Sequence, residues 1–189
     1  MLVHEHTVAK IRKDMPMDIA ALIGCGVTTG VGAVIHTAKV EPGSTVAVIG
    51  CGGVGLSAIN GAALAGAARI IAIDMVPSKL ELARKFGATD VVNAGEVDPV
   101  QAVREMTKGG VHYSFEAIGL AATAQQSFKM LGMGGTATII GMIPVGTMVE
   151  LHGPEFLMER KIFLGGPWVW ISYPKYNLQD FLFSQKLMT

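Results

Sequence analysis

Three glycines and one carboxylate have the spacing most suggestive of chemistry in this sequence. Gly50, Gly52 and Gly55 follow an apolar run that begins at Thr45, and Asp74 ends the next apolar run. In a strand–turn–helix unit, Gly50 permits a tight turn, Gly52 lets the backbone approach a phosphate, and Gly55 lets the helix pack closely on the strand. The start of that helix directs unpaired N–H groups and a positive dipole end at the phosphates. The spacing therefore predicts a dinucleotide site.

Asp74 indicates which dinucleotide would bind. A carboxylate about 20 residues beyond the glycines can hydrogen-bond both hydroxyls of a ribose. A 2′-phosphate would meet its negative charge, and residues 75–78 contain no Arg to receive it. The sequence therefore predicts NAD rather than NADP. A methyltransferase is the alternative, since it also uses a Gly-rich turn and an acid on the second strand, but its cofactor has no pyrophosphate to require the third glycine.

Composition limits the classes of protein that remain. The chain has 189 residues, 50% hydrophobic and 16% charged, which fits one globular domain. Its net charge is zero and it has no basic block, so we expect no nucleic-acid partner. The apolar runs look strand-length and the start is not a signal peptide, so we expect no membrane partner and a cytoplasmic location. Cys25 and Cys51 cannot form a disulfide framework and are expected to be reduced.

Alternating strand and helix patterns from Thr45 onward predict an α/β fold, a doubly wound parallel Rossmann sheet with its ligand crevice at the carboxyl ends of the strands. The predicted strands are 45–50, 69–74, 90–93, 112–117, 135–141 and one near 162–165. The predicted helices are 30–39, 54–66, 77–86, 99–107, 121–131 and 177–186. Ahead of the sheet, residues 1–11 alternate like a half-buried strand.

Five motifs occur in order along the chain, at residues 24–30, 40–55, 66–74, 86–90 and 115–119. Together they resemble the zinc-dependent medium-chain alcohol dehydrogenases, especially the class III type, which includes thiol-dependent formaldehyde dehydrogenases. The resemblance implies a homodimeric oxidoreductase that transfers hydride to NAD from a small-molecule substrate, a primary alcohol or a thiol–formaldehyde adduct. The Gly-His-Glu zinc motif and the four-Cys zinc loop of that family do not occur in this sequence.

The same resemblance implies roles for individual residues. Cys25 matches a ligand of the catalytic zinc, and Thr29 matches a catalytic position on the nicotinamide side. Ile118 would line the adenine side and Ile140 the nicotinamide side, while Lys79 would contact the adenosine ribose. The full set of cofactor-binding residues it implies is Gly50, Gly52, Gly53, Val54, Gly55, Asp74, Lys79, Ile118 and Ile140. A catalytic zinc needs three protein ligands, and the resemblance supplies only one of them here.

The resemblance also divides the chain. Residues 1–20 are expected to be a remnant strand region of the missing catalytic domain, residues 21–175 the NAD-binding domain, and residues 176–189 a truncated C-terminal helix. The sequence Pro-Trp-Val-Trp at 167–170 departs from the small polar residues typical of the family.

Other polar residues have plainer interpretations. His4 and His6 would share one face of a strand, with Glu5 on the other, which favours an ordinary strand surface over a metal site. Cys51 is expected to pack in the turn, and Glu116, at a strand end near the crevice, to be structural. His36 and Lys39 are expected to be solvated.

Two functional hypotheses follow. The first is an NAD-dependent zinc alcohol dehydrogenase, in which this chain supplies the cofactor domain. The second is a truncated, catalytically inactive module for NAD binding or oligomerisation.

Overall fold

A computed structural model of the chain describes residues 10–158 and 162–165, together with the isolated positions 2, 4 and 8. Six strands form one sheet, and every pairing in it is parallel. They are β1 (Thr45–Ile49), β2 (Arg69–Asp74), β3 (Asp90–Asn93), β4 (Val111–Glu116), β5 (Leu131–Ile139) and β6 (Ile162–Gly165). Their spatial order is β3-β2-β1-β4-β5-β6. The strand order reverses between β1 and β4, which is where a doubly wound sheet opens its ligand crevice. The predicted Rossmann fold is confirmed.

Helices connect the strands and cover the sheet. They are α1 (Met17–Thr37), α2 (Gly53–Leu64), α3 (Pro77–Lys85), α4 (Pro99–Thr107), α5 (Ala121–Lys129) and α6 (Gly153–Met158). Proline occupies the first turn of α3 and of α4, where its missing N–H costs nothing. The Asp98 side chain caps α4 by accepting a hydrogen bond of 2.9 Å from the Gln101 N–H.

The core lies on both faces of the sheet. Val46 and Val48 of β1 face a cluster that includes residues of α1, α2 and α3. Ala47 and Ile49, at the alternate positions, face a second cluster with α4 and α5. All four residues are at most 3% exposed. Burial on both faces explains why the strands are continuous apolar runs rather than alternating ones.

Helix α1 differs from the sequence prediction, which placed a helix only at 30–39. It is continuous over 21 residues and contains two π-helical segments, Ile23–Val27 and Ala33–Thr37. Of the helices that the structure describes, α1 alone is long and apolar enough to cross a membrane by length and composition, so the expectation of only strand-length apolar runs was wrong. Its second half packs against α2, where Val31 and Val34 are buried.

Other boundaries also shift. β5 begins at Leu131 instead of 135, directly after α5, because Met130 and Leu131 are fully buried and Leu131 pairs with Val111. Helix α6 was not predicted from the sequence. The predicted helix at 177–186 and the departure at 167–170 lie outside the described residues, as do most positions of the predicted strand at 1–11.

Candidate functional site

The turn between β1 and α2 has the geometry that its glycines predict. Gly50 has a φ of +93°, a conformation that disfavours any side chain, and its N–H donates to the Ile73 carbonyl at 2.8 Å. A Cβ on Gly55 would lie 1.7 Å from the Gly50 oxygen, so only glycine lets α2 start this close to the strand. The turn and the first residues of α2 therefore form one tightly packed unit.

The start of α2 is open to a ligand. No side chain caps it, so the N–H groups of its first turn lack a side-chain partner. A Cβ built on Gly52 or Gly53 would meet no atom within 4 Å, and both residues are exposed. Uncapped N–H groups and a free approach for the backbone are what a pyrophosphate requires, so the residues here fit that group.

Asp74 is tied to this turn. Its Oδ2 accepts a hydrogen bond of 2.8 Å from the Cys51 N–H, and its Oδ1 accepts one of 3.0 Å from the Val76 N–H. A carboxylate has about four acceptor sites, so two backbone bonds fix its orientation and leave acceptor sites for ribose hydroxyls. The side chain is half-buried at the carboxyl end of β2.

Cys51 lies beneath this carboxylate as a buried thiol. Burial, followed by the charge of Asp74, raises the pKa of Cys51 to about 12, while the Ile73 carbonyl and the charge of Lys79 oppose that rise. The thiol is therefore protonated at neutral pH and packs as a small apolar group. Lys79 is an exposed residue in the first turn of α3.

Ile118 and Ile140 follow the carboxyl ends of β4 and β5. A Cβ on Gly50 would lie 2.6 Å from Ile118 Cγ1, so Ile118 flanks the turn directly. Its side chain is 48% exposed, which leaves an apolar surface beside the open glycines. Ile140 is half-buried, and its N–H donates to the Glu116 carbonyl at 2.8 Å. The structure thus brings these predicted residues to one edge of the sheet.

Cys25 and Thr29 lie one helical turn apart on α1. Cys25 is exposed and falls within the first π-helical segment, a feature often found at functional sites. Thr29 precedes Gly30, where a Cβ would lie 2.3 Å from the Val54 oxygen, so this part of α1 touches the first turn of α2. Thr29 is therefore close to the predicted phosphate loop.

The zinc site is not assembled by the described residues. Among them, no group of three or more His, Cys, Asp or Glu side chains is placed to hold a metal ion. Cys25 alone does not fit a catalytic zinc, which needs three protein ligands. His6, which would share a strand face with His4, lies outside the described residues.

Glu116 was expected from the sequence only to be structural. This side chain is fully buried at the end of β4 and accepts hydrogen bonds from the loop that carries Ile118. A charged residue ending an otherwise buried strand was the available signal.

Residues 53–170 match the family model described as zinc-binding dehydrogenase. That match covers more than half of the chain. The chain belongs to the zinc-binding dehydrogenase family. It is 47% identical to a class-3 alcohol dehydrogenase of Zea mays, over 87% of this chain and 44% of that protein. It is 46% identical to a protein of Schizosaccharomyces pombe assigned as an S-(hydroxymethyl)glutathione dehydrogenase, with the same two coverages. The family resemblance read from the motifs is confirmed.

Solved structures of the family share the fold. Benzyl alcohol dehydrogenase from Acinetobacter calcoaceticus superposes with a TM-score of 0.80 at 40% identity, covering 82% of this chain and 43% of that one. A zinc-binding dehydrogenase from Sinorhizobium meliloti 1021, solved bound to NADP, has a TM-score of 0.72 at 32% identity, covering 75% of this chain and 42% of that one. The chain spans less than half the length of these relatives.

Proposed function

We propose that this chain is the NAD-binding part of a zinc-type alcohol dehydrogenase. The observation that carries the proposal is the β1–α2 turn, where an uncapped helix start and open glycines lie beside a carboxylate held by the turn's own N–H. A pyrophosphate fits the first feature and a ribose diol fits the second. The family includes a relative solved with NADP, so family membership does not itself decide between the two cofactors.

Each proposed residue has a defined task toward the cofactor. Gly50, Gly52, Gly53, Val54 and Gly55 form the loop that receives the pyrophosphate. Asp74 accepts hydrogen bonds from the adenosine ribose, and Lys79 donates to it. Ile118 packs against the adenine, while Ile140 and Thr29 lie on the nicotinamide side. The bound nicotinamide supplies the hydride acceptor, and the protein's contribution is to hold and orient it.

The proposed substrates are primary alcohols or thiol–formaldehyde adducts. They are supported by the family match and by relatives assigned as alcohol and S-(hydroxymethyl)glutathione dehydrogenases. Cys25 is proposed as one of three zinc ligands. The other two ligands that a catalytic zinc requires are not supplied by the described residues.

The second candidate is a catalytically inactive module for NAD binding or oligomerisation. The observation that favours it is the lone zinc-ligand candidate together with a complete dinucleotide fold. In either case we propose a homodimer and a cytoplasmic location. The packing of the second half of α1 against α2 supports assigning that apolar helix to the protein core rather than to a membrane.

Calorimetric titration of the chain with NAD and with NADP tests the cofactor assignment. We expect NAD to bind and NADP to bind at least about tenfold more weakly, because its 2′-phosphate would meet the Asp74 carboxylate. Asp98→Ala is the matched control for an Asp74→Ala variant. It also removes a carboxylate that accepts a backbone N–H, but that carboxylate caps α4 and has no role in the turn. Equal affinity for the two cofactors would contradict the proposed contact between Asp74 and the adenosine ribose.

A further inference from the structure

Glu116 has an unusual environment for a carboxylate. It is 0% exposed and lies in register between Ile49 of β1 and Ile139 of β5. Its Oε1 accepts hydrogen bonds from the N–H groups of Ile118 at 2.9 Å and Gly119 at 2.7 Å. The Thr123 hydroxyl, in the first turn of α5, lies 2.7 Å from the same oxygen. One carboxylate oxygen therefore accepts three hydrogen bonds, which hold the loop between β4 and α5 and the first turn of α5 in place.

The backbone of Glu116 holds a second loop. Its carbonyl oxygen accepts hydrogen bonds from the Ile140 N–H at 2.8 Å and the Gly141 N–H at 3.0 Å. Its other carboxylate oxygen, Oε2, is directed at the same loop, since a Cβ on Gly141 would lie 2.6 Å from it. The loops following β4 and β5 thus meet at this single residue.

The second oxygen shows that packing alone does not account for Glu116. Oε2 is buried and has no hydrogen-bond partner among the described residues. A buried polar atom without a partner costs free energy, so packing by itself does not favour a carboxylate here. An aliphatic replacement would in turn leave the Ile118 and Gly119 N–H groups without their acceptor. A fully buried position between two isoleucines would favour an aliphatic residue if packing were the only requirement. What Glu116 adds is control of the two loops.

We propose that Glu116 is a positioning residue for the cofactor. Its side chain fixes the 117–120 loop, which packs directly against the 140–142 loop, since a Cβ on Gly141 would lie 2.1 Å from the Gly119 nitrogen. It thereby sets the separation of Ile118 and Ile140, which would contact the adenine and nicotinamide halves. This inference rests on the proposed NAD function. Glu116 itself touches neither half and acts through the backbone of both loops.

Three substitutions of Glu116 separate the effect of side-chain length from the effect of the carboxyl group. Glu116→Gln keeps the chain length and an oxygen that can accept the loop N–H groups, so we expect NAD affinity within about threefold of the unsubstituted chain. Glu116→Asp keeps the charge but is shorter by one methylene and cannot reach the same N–H groups. Glu116→Ala removes the acceptor altogether. We expect both to weaken NAD binding at least about tenfold, or about 1.4 kcal/mol.

Ser114→Ala is the matched control. Ser114 lies two residues earlier on the same face of β4, and its hydroxyl donates to the Ser127 carbonyl of α5 at 2.8 Å. The substitution removes a buried strand-to-helix hydrogen bond that does not involve either loop. We expect it to lower the melting temperature and leave NAD affinity unchanged, which is the result that a purely structural role for Glu116 would also give.

The measurements are calorimetric NAD affinity below the melting temperature of each variant and hydrogen exchange at the Ile118 and Gly119 amides. In the unsubstituted chain we expect these two amides to be protected relative to the amide of Val145, a fully exposed residue, and an absence of protection would overturn the loop contact whether or not any variant folds. Folded Asp or Ala variants that bind NAD as tightly as the unsubstituted chain would overturn the positioning role. An unsubstituted chain that does not bind NAD would instead overturn the proposed function.

Discussion

Asp74 connects two parts of the molecule at the scale of one residue. Its carboxylate accepts hydrogen bonds from the Cys51 and Val76 N–H groups, so the end of β2 is tied to the β1–α2 turn. A ligand ribose would meet a carboxylate that needs no rearrangement, which reduces the free-energy cost of binding.

Substituting Asp74 tests this arrangement. Asp74→Ala is expected to weaken NAD binding by about 1–3 kcal/mol, because charge-assisted hydrogen bonds to the ribose are lost. Calorimetric titration measures the change. Asp74→Asn, which keeps one acceptor oxygen, should lose less, and an unchanged affinity in the alanine variant would contradict the assigned role.

The two cysteines should differ sharply in reactivity. Cys51 is buried with its pKa raised to about 12, whereas Cys25 is exposed. Since the thiolate is the reactive form, iodoacetamide at pH 8 is expected to modify Cys25 and spare Cys51 in the folded chain. Intact-mass and peptide mass spectrometry would count the labels, and unfolding in denaturant should expose both sites. Labelling of Cys51 in the folded chain would contradict the buried geometry.

At the scale of elements, Arg69 and Asp90 clamp β2 to β3. The guanidinium makes two hydrogen bonds to the carboxylate, at 2.9 and 2.8 Å, and donates a third to the Met106 carbonyl at the end of α4. The Arg69 hydrogen bond is the main cause that lowers the pKa of Asp90 below its usual value. The pair therefore joins two strands and a helix at the end of the sheet opposite the crevice.

Asp90→Asn is expected to lower the free energy of unfolding at neutral pH by about 1 kcal/mol, since a part-buried bidentate pair is lost. A depressed pKa stabilises the fold above the unfolded value of about 3.9 and loses that contribution as pH falls through the lower folded value. The difference between the two chains should therefore vanish in acid. Urea unfolding across pH measures it.

Asp14→Asn provides a control for that experiment, because the Arg12–Asp14 pair is exposed on both sides. No measurable change in stability is expected from it. A difference between the Asp90 variant and the unsubstituted chain that persisted unchanged in acid would contradict the linkage.

At the scale of the whole molecule, no strand among the described residues pairs with the outer side of β6. β6 is the last strand in the sheet order, and Ile162 is 49% exposed. An open apolar edge favours pairing with another chain. We expect sedimentation velocity at micromolar concentration to show a dimer or larger species, and a clean monomer would refute the proposal of self-association. Trp168 and Trp170, which follow β6 in the sequence, lie outside the described residues.

The chain by itself is expected to have no measurable alcohol dehydrogenase activity. Orienting substrate against the nicotinamide can contribute roughly 7–11 kcal/mol to such a reaction. Among the described residues, no group of three or more His, Cys, Asp or Glu side chains is placed to hold a metal ion. NADH absorbance with small alcohols and thiol–formaldehyde adducts, together with metal analysis, measures this. Turnover with stoichiometric zinc, abolished by Cys25→Ser, would overturn the expectation.

The sequence by itself determined the sheet and the β1–α2 turn. Gly50 and Gly55 could be assigned because a positive φ and a close helix approach are local requirements that no other residue meets. The first four strands were predicted within a residue at each end, since strands buried on both faces are continuous apolar runs.

Tertiary structure decided what local patterns could not encode. The sequence predicted a helix only at 30–39, yet the helix is continuous from Met17, and its residues from Ile23 onward pack on α2. Glu116 looked like an ordinary strand-end acid, and only the folded chain places N–H groups from two loops around it. Both outcomes depend on contacts between segments distant in sequence, because burial and hydrogen-bond partners arise only when those segments pack.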